Sequence, residues 1–268
     1  MSRVNKISRL NKAIKRYGSV LIAFSGGVDS TFLLSVASRI LPKDKLLAVT
    51  ADSPTYSKEE LAFSKKIARC LGVRHQVIHT SELDSAGFAA NKPDRCYFCK
   101  KELFGRLKEM AAGLKLNFVA DASNISDKKD FRPGAKAVKE LKICSPLQEA
   151  GLTKNDIRRL SRKMGLPTWD KPSLACLASR VPYGARINRV DLSRIDKAEK
   201  FIRSLGFKQV RVRHYGDLAR IEVEKRDIKK LVAYHVSRIT KRLRKLGYKY
   251  ITVDLEGYRA GSLNEAIK

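Results

Sequence analysis

The sequence lacks any long apolar run. No stretch of 18 or more uncharged apolar residues occurs in the 268-residue chain. Its first residues, MSRVNKISRLNKAIKRYG, contain no apolar segment of the kind that signal peptides carry. These absences argue against a membrane span and a signal peptide, and we expect a cytoplasmic protein.

Acidic residues are also scarce. The chain has 27 Asp and Glu against 56 Lys and Arg, which gives a formal net charge of +29. A field of this sign favours polyanions, so nucleotides, phosphorylated substrates and RNA are all candidate partners. Apolar residues make up 43% of the chain, enough for a core, and the length favours a larger nucleotide domain with a smaller second domain.

Cysteines are few and odd in number. They are Cys70, Cys96, Cys99, Cys144 and Cys176. An odd set in a chain without export signals argues against a disulfide framework and favours reduced thiols or metal chemistry. The four histidines show no metal-ligand spacing.

Strand-like and helix-like segments alternate over the first part of the chain. Four short apolar or β-branched runs are predicted as strands: residues 19–24, 46–52, 75–79 and 117–121. Because segments with helical spacing separate them, we predict an α/β fold with a doubly wound parallel sheet. We assign this nucleotide domain to residues 1–168.

The rest of the chain predicts a smaller domain. Residues 169–187 contain prolines and no clear periodicity, which is typical of a functional connecting loop. Residues 188–268 alternate between helix and strand, which predicts an α+β domain for substrate binding or oligomerisation, and we expect a homo-oligomer. Its last helix is predicted over about residues 227–246. The basic residues of that helix are expected to form a solvated face: Lys229, Lys230, Lys241, Arg242 and Arg244.

The turn between the first strand and its helix is typical of a phosphate site. It consists of Ser25, Gly26, Gly27, Val28, Asp29 and Ser30. Backbone N–H groups and the positive end of a helix converge there, and the glycines permit close approach and positive φ. Asp29 either caps the helix or helps to hold Mg²⁺. The turn is not a Walker A loop, which needs Lys after its last glycine.

The string SGGVDS resembles the PP-loop of the ATP-pyrophosphatase superfamily, whose members cleave ATP between the α and β phosphates and transfer AMP to a substrate oxygen. The resemblance implies that residues 25–30 hold the departing pyrophosphate. It also implies that Ala23, Thr50 and Asp52 face the adenosine. Asn124 and Asp127 follow a predicted strand at the edge where such sheets bind ligands, so Asn124 is a further candidate for ATP binding.

Three cysteines are candidates for sulfur chemistry. Cys176 lies between Lys171 and Arg180, and nearby cations favour the reactive thiolate. Cys96 and Cys99 form a C-x-x-C pair at the start of a predicted helix. With Cys176 they could hold a [4Fe-4S] cluster with one open iron; zinc or thiol chemistry and a purely structural role are the alternatives.

Longer strings resemble the LarE family of sulfur transferases, which make the dithio-ligand of the nickel-pincer nucleotide cofactor. The matching strings are FSGGVDS, PDRCYFCKKELF, DFRPG, KPSLACLASRVPYG, VRHYGDLARIEV and LEGYRAGSLN. The resemblance implies that ATP and Mg²⁺ adenylate a carboxylate of a pyridinium dicarboxylate mononucleotide, which sulfur then attacks. The sulfur comes from Cys176 itself, which becomes dehydroalanine, or from cluster-bound sulfide.

Anion and metal contacts are also expected in the smaller domain. Guanidinium groups suit phosphates and carboxylates. The candidate substrate contacts are Ser179, Arg180, Arg211 and Arg213. Glu199 and Glu222 are candidate ligands of a divalent ion.

Three other functions are compatible with parts of this pattern. The loop, the C-x-x-C pair and a distant cysteine also resemble cluster-dependent tRNA thiolases, which keeps tRNA as a possible partner. An amide-forming ligase similar to NAD or GMP synthetase would use ammonia in place of sulfur. A basic binding protein that retains an ATP fold would have no activity.

Overall fold

The structure is a computed structural model that describes residues 3–129, 133–172, 175–259 and 261–267. It divides into two compact units. The larger comprises Met1–Glu82 and Asp94–Leu174, and the smaller comprises Leu83–Pro93 and Ala175–Lys268. The segment Leu83–Pro93, which sequence alone assigns to the first domain, therefore belongs to the smaller unit.

The larger unit is built on a four-stranded parallel sheet. Its strands are β1 (Val20–Ala23), β2 (Leu46–Asp52), β3 (Arg74–His79) and β4 (Phe118–Ala120), in the order β3-β2-β1-β4. Its helices are α1 (Arg3–Tyr17), α2 (Val28–Ser38), α3 (Lys58–Cys70), α5 (Arg95–Gly113), α6 (Gly134–Glu140), α7 (Pro146–Glu149) and α8 (Lys154–Lys163); α4 (Ala86–Ala89) belongs to the smaller unit.

Helices cover both faces of this sheet, which explains its continuous apolar strands. Val20 and Ile22 of β1 pack into a core with α1, α2 and α8, whereas Leu21 packs into a second core with Phe104 and Leu107 of α5. Strands buried on both faces need apolar residues at every position. The predicted α/β fold is confirmed. Because β2 and β4 lie on opposite sides of β1, the strand order reverses where β1 ends, and ligands bind at such switch points.

The smaller unit contains a three-stranded sheet in the order β5-β6-β7. Its further elements are α9 (Arg189–Ser204), β5 (Val210–Tyr215), β6 (Leu218–Val223), α10 (Ile228–Tyr234), α11 (Val236–Lys245) and β7 (Tyr250–Val253). β5 and β6 are antiparallel, and β6 and β7 are parallel. The helix predicted over 227–246 is in fact two, because the chain bends at His235, whose ring packs edge-on against Phe207.

The buried side chain of Asn91 fixes the segment Leu83–Pro93 within the smaller unit. Its Nδ2 donates to the carbonyl oxygens of Pro182 at 2.8 Å and Ala185 at 2.9 Å, and its own carbonyl accepts from Gly184 N. The segment is thus held by backbone groups more than 90 residues away in sequence. No helix in the described part of the chain is long and apolar enough to cross a membrane.

Candidate functional site

The predicted phosphate loop leaves β1 and enters α2 with an open helix terminus. Gly27 precedes α2 in extended conformation, and no side chain caps the helix. Gly26 has φ of +62°, and a Cβ there would come within 3.0 Å of Ser64 Cα. The first N–H groups of a helix lack partners within it and carry its positive pole. The loop therefore offers uncapped donors to an anion.

Two serines hold the loop in shape. The Oγ atoms of Ser25 and Ser30 lie 3.1 Å apart, and the Ser30 Oγ also accepts from the backbone N of Ser25 at 3.3 Å. Tyr56 donates from its hydroxyl to the Ser25 carbonyl at 2.6 Å. These contacts order the loop before any ligand arrives.

One carboxylate oxygen of Asp29 accepts a hydrogen bond, and the other has no partner among the described residues. Its Oδ2 accepts from Lys154 Nζ, whereas Oδ1 is shielded from solvent and has no hydrogen-bond partner in the described part of the chain. Burial raises the pKa of this carboxyl, and the charge of Lys154 opposes that rise. A shielded carboxylate oxygen beside a phosphate loop is a suitable ligand for Mg²⁺.

Lys171 lies against the same loop, and sequence reasoning assigned it no such role. Its Nζ donates to the Gly26 carbonyl at 3.1 Å and to Glu60 Oε2 at 2.7 Å, and it lies 3.7 Å from the Phe63 ring centroid. Burial lowers the pKa of Lys171, and the Glu60 carboxylate opposes the fall. Arg158 fixes the backbone here by donating to the Lys171 carbonyl at 2.8 Å.

A mostly apolar cavity of about 190 Å³ opens next to the loop. It is lined by Ala23, Phe24, Ser25, Val49, Thr50, Ala51, Ser53, Tyr56, Glu82 and Leu103. These residues come mainly from the carboxyl ends of β1 and β2. An apolar cavity with a few polar groups beside a phosphate loop suits the adenosine part of ATP. Ala23 and Thr50, the residues predicted to face adenosine, both line this cavity.

Two residues expected to face ATP have other contacts. Asp52 is absent from the cavity lining, and its carboxylate lies 3.3 Å from His79 Nδ1. Asn124 is buried, and its side chain accepts from the backbone N of Ser126, two residues along the same turn. Asp127 accepts from the backbone N of Asn124. The structure thus gives Asn124 and Asp127 roles in shaping a turn.

The C-x-x-C pair lies at the start of α5, as the sequence predicts. Cys96 is exposed and Cys99 is half-buried. The Cys99 thiol lies 3.7 Å from Glu82 Oε1, so the pair borders a residue that lines the cavity. Burial raises the pKa of Glu82, and its Oε2 has no hydrogen-bond partner among the described residues.

In the smaller unit, Cys176 is exposed on a tightly held backbone. Arg180 Nη1 donates to the carbonyls of Ala175 at 2.6 Å and Cys176 at 2.9 Å, and Ser179 Oγ donates to the Cys176 carbonyl at 2.8 Å. Arg180 itself is buried and paired through Nε with Glu199 Oε1 at 2.8 Å. The arginine therefore presents the cysteine to solvent by binding its main chain.

The other two candidate arginines are also buried. Arg213 pairs with Glu222 through two hydrogen bonds of 2.9 and 2.8 Å and donates to the Ser179 carbonyl. Arg211 donates to the Val210 carbonyl, and burial lowers its pKa to about 10. Arg180 and Arg213 therefore support the loop around Cys176 and are not free to meet a substrate anion.

The same two ion pairs argue against the predicted role of Glu199 and Glu222 as metal ligands. Arg180 forms an ion pair with Glu199, and Arg213 forms one with Glu222. Arginine charges rather than a metal ion therefore balance these carboxylates. Among the residues that the structure describes, no three His, Cys, Asp or Glu side chains are grouped so as to hold a metal ion.

A second cavity, of about 540 Å³, lies within the smaller unit. Its lining includes Tyr183, Tyr215, Arg220 and Ser262. Ser262 also accepts from Arg213 Nη2 at 2.8 Å, so the Arg213–Glu222 pair borders this cavity. Arg220 supplies a half-buried cation, and sequence reasoning did not single it out.

Two comparisons with known proteins match part of the chain. A family model described as asparagine synthase matches residues 10–104, which include the phosphate loop. An NH(3)-dependent NAD(+) synthetase of Chlorobaculum tepidum is 33% identical over 78 residues, which are 29% of this chain and 28% of that protein. These matches support an ATP-using PP-loop unit.

Two relatives align over nearly the whole chain. An uncharacterised protein of Synechocystis sp. is 40% identical, with 98% of each chain covered. A pyridinium-3,5-bisthiocarboxylic acid mononucleotide synthase of Lactiplantibacillus plantarum is 37% identical, covering 98% of this chain and 95% of that protein. The similarity therefore extends through both units.

Proposed function

Because this chain belongs to the pyridinium-3,5-bisthiocarboxylic acid mononucleotide synthase family, we propose that it adenylates a carboxylate of a pyridinium dicarboxylate mononucleotide and exchanges the activated oxygen for sulfur. The carboxylate attacks the α-phosphorus of ATP, and pyrophosphate leaves. Sulfur then attacks the acyl carbon, and AMP leaves. Family membership favours this activity over tRNA thiolation and amide formation.

One observation carries the first half-reaction: an uncapped helix terminus, a shielded Asp29 oxygen and the Lys171 ammonium meet at one loop. The N–H groups of residues 25–30 would bind the departing pyrophosphate, and Asp29 would hold Mg²⁺, which neutralises the charge of the phosphates. The cavity beside the loop would take the adenosine. These groups would stabilise the leaving pyrophosphate and position ATP for attack, which are the two contributions that adenylation requires from the protein.

Cys176 itself is one of two candidate sources of sulfur for the second half-reaction. Its thiolate would attack the acyl-adenylate to form a thioester. Loss of the Cys176 Cα proton would then break the Cβ–S bond and leave a thiocarboxylate on the product and dehydroalanine in the chain. Exposure of the thiol and fixation of its backbone by Arg180 support this role.

A [4Fe-4S] cluster is the alternative source of sulfur. Cys96 and Cys99 provide two accessible thiols on successive turns at the N-terminal end of α5, where a helix favours the thiolate. With Cys176 they would hold the cluster, whose open iron would carry sulfide when bound. We favour this source because the sequence contains all three cysteines.

The proposal is tested with ATP, Mg²⁺ and the pyridinium substrate under anaerobic conditions. Cys176→Ala is expected to abolish thiocarboxylate formation while substrate-dependent release of AMP and pyrophosphate persists, and Cys70→Ser, at another exposed thiol, is expected to behave as wild type. Full sulfur transfer by Cys176→Ala would overturn the role of the thiol. Absence of pyrophosphate release from the wild type would overturn the adenylation step.

Intact mass after one turnover distinguishes the two sulfur sources. A loss of about 34 Da corresponds to H₂S leaving cysteine and indicates dehydroalanine at position 176. An unchanged polypeptide mass with continued turnover indicates a cluster. The first result would overturn our preference for the cluster.

A further inference from the structure

A strongly basic surface covers residues 225–249 of the smaller unit, and the proposed activity makes no use of it. This segment contains one acidic residue, Asp227, against ten basic ones. The basic residues are Lys225, Arg226, Lys229, Lys230, Arg238, Lys241, Arg242, Arg244, Lys245 and Lys249, and all ten are exposed. We refer to these ten residues as the basic face.

Part of the basic face is an ordered row on α11. Arg238, Lys241 and Lys245 are three and four residues apart, a spacing that aligns side chains on one side of a helix. Ile239 and Leu243 are buried in the core of the unit, so this row points away from the core. The helix therefore presents a line of cations to solvent.

Few of these charges are balanced by the protein. Among the described residues, acidic partners are found for Arg226, at Glu224, and for Lys249, at Asp217. The other eight members form no ion pair with described residues. A concentration of unbalanced cations on one face attracts a polyanion more strongly than scattered charges do.

An exposed tyrosine lies four residues before the row of cations. Tyr234 is 77% exposed, and it precedes the bend at His235. His235 N donates to the Leu231 carbonyl at 3.1 Å, and Ile239 N donates to the His235 carbonyl at 2.9 Å. The hydrogen bonds of α10 thus end at His235 and those of α11 begin there, so Tyr234 ends one helix and Arg238 lies in the first turn of the next.

We propose that the basic face binds an unpaired segment of a polynucleotide, with Arg238, Lys241 and Lys245 at its phosphates and Tyr234 stacked on a base. Single-stranded nucleic acid is bound by this combination of cations that follow the backbone and aromatic rings that stack on bases. A mononucleotide substrate carries a single phosphate and cannot engage a row of this length. The surface therefore points to a polymeric partner.

Charge and burial favour this partner over two others. A helix that lies on a membrane needs an apolar side free to enter lipid, and here Ile239 and Leu243 are buried in the core. A second copy of the chain also carries a formal net charge of +29, so like-charge repulsion opposes its approach to the basic face.

The test measures binding of fluorescent single-stranded RNA and DNA of one sequence by anisotropy at several salt concentrations. The variant is Arg238→Glu/Lys241→Glu/Lys245→Glu. The matched control, Lys12→Glu/Lys108→Glu/Lys163→Glu, makes the same charge change at exposed lysines of the larger unit, and Lys163 ends α8 as Lys245 ends α11. Thermal melts and sulfur-transfer rates verify that both proteins remain folded and active.

The basic-face variant is expected to bind at least about tenfold more weakly and to lower the slope of log affinity against log salt by about 2, because single strands contribute about 0.7 per phosphate contact. The control is expected to bind within about threefold of wild type. Tyr234→Ala is expected to lose about tenfold and Tyr234→Phe to retain binding, because stacking needs the ring alone. Comparison of RNA with DNA identifies which polymer is preferred.

Three results would overturn the proposal. Equal losses in the two triple variants would show that net charge alone drives binding. Tighter binding to vesicles containing phosphatidylserine, with the same dependence on the basic face, would show a membrane surface. Absence of binding to both RNA and DNA at low salt would show that the basic face does not bind a polynucleotide. None of these results bears on adenylation, which is measured separately.

Discussion

Lys171 Nζ lies 3.1 Å from the carbonyl oxygen of Gly26, at the centre of the phosphate loop. The two residues are 145 positions apart in the chain, and the contact brings a cation to a loop that otherwise supplies neutral donors. Glu60 balances this cation at 2.7 Å. An arriving triphosphate can replace the carbonyl as partner of the ammonium, so Lys171 is positioned to bind ATP.

Lys171→Met is expected to weaken ATP binding by about 10-fold to 100-fold, because a charge-assisted hydrogen bond contributes about 1.5–3 kcal/mol. The loss also leaves the Glu60 carboxylate unbalanced near the phosphates. Lys171→Met/Glu60→Gln should therefore recover part of the affinity. Calorimetric titration with a non-hydrolysable ATP analogue measures both, with Lys163→Met as the control. Wild-type affinity in Lys171→Met would refute the assignment.

Gly26→Ala is expected to lower both stability and ATP affinity. At Gly26 φ is +62°, and a Cβ would lie 3.0 Å from Ser64 Cα, so the loop must shift. Gly72→Ala is the matched control, since Gly72 has φ of +64° with no atom within 4 Å of a Cβ. Both should lose about 1 kcal/mol from the left-handed backbone. Only Gly26→Ala should lose ATP binding, and equal affinities in the two variants would contradict this.

The pairing of Glu199 with Arg180 predicts a pH dependence of stability. Burial alone would raise the pKa of Glu199, but the charge and hydrogen bonds of Arg180, the charge of Arg211 and the backbone N–H of Val212 together hold that pKa below its ordinary value of 4.5. A depressed carboxyl pKa stabilises the folded state above pH 4.5, and this contribution is lost as the pH falls below that value. Glu199→Gln should remove it and leave Arg180 without its charge partner.

Urea unfolding at several pH values measures this effect. At pH 7, Glu199→Gln is expected to be less stable than wild type by about 3–5 kcal/mol, as for other buried pairs that lose one partner. The difference should shrink as the pH is lowered from 6 to about 3. A difference that is constant across this range would indicate that packing alone, and not charge, is lost.

Anaerobic absorption spectra of cysteine variants test the predicted cluster. Wild type is expected to show the broad visible absorption of an iron–sulfur protein. The variants Cys96→Ser/Cys99→Ser and Cys176→Ala should lose it, whereas Cys70→Ser should keep it. A colourless wild type that still transfers sulfur once would assign the sulfur to Cys176 alone.

Patterns local in sequence predicted most of the larger unit. The apolar runs at β1 and β2 are buried on both faces, and Ser25, Gly26 and Gly27 lie between a strand and a helix as expected. Such features depend on neighbouring residues and on side-chain periodicity. The carboxyl ends of β1 and β2 could therefore be placed beside the phosphate loop.

Contacts between distant residues could not be predicted in this way. Lys171 and Tyr56 reach the loop from segments that follow later in the chain, and no spacing in the sequence signals this. The contacts of Arg180 and Arg213 could not be predicted for the same reason. A guanidinium beside a reactive cysteine suggests a site for a substrate anion until its buried glutamate partner is known.

Asn91 has a consequence for the handling of the protein in fragments. Its side-chain amide is satisfied by carbonyls of Pro182 and Ala185, and the chain enters the smaller unit at Leu83 and leaves it at Pro93 before returning at Ala175. A gene truncated after residue 174 would encode Asn91 without these acceptors. Neither unit is a continuous stretch of chain, so a split protein or a chimera needs two junctions around the 83–93 segment rather than a single cut.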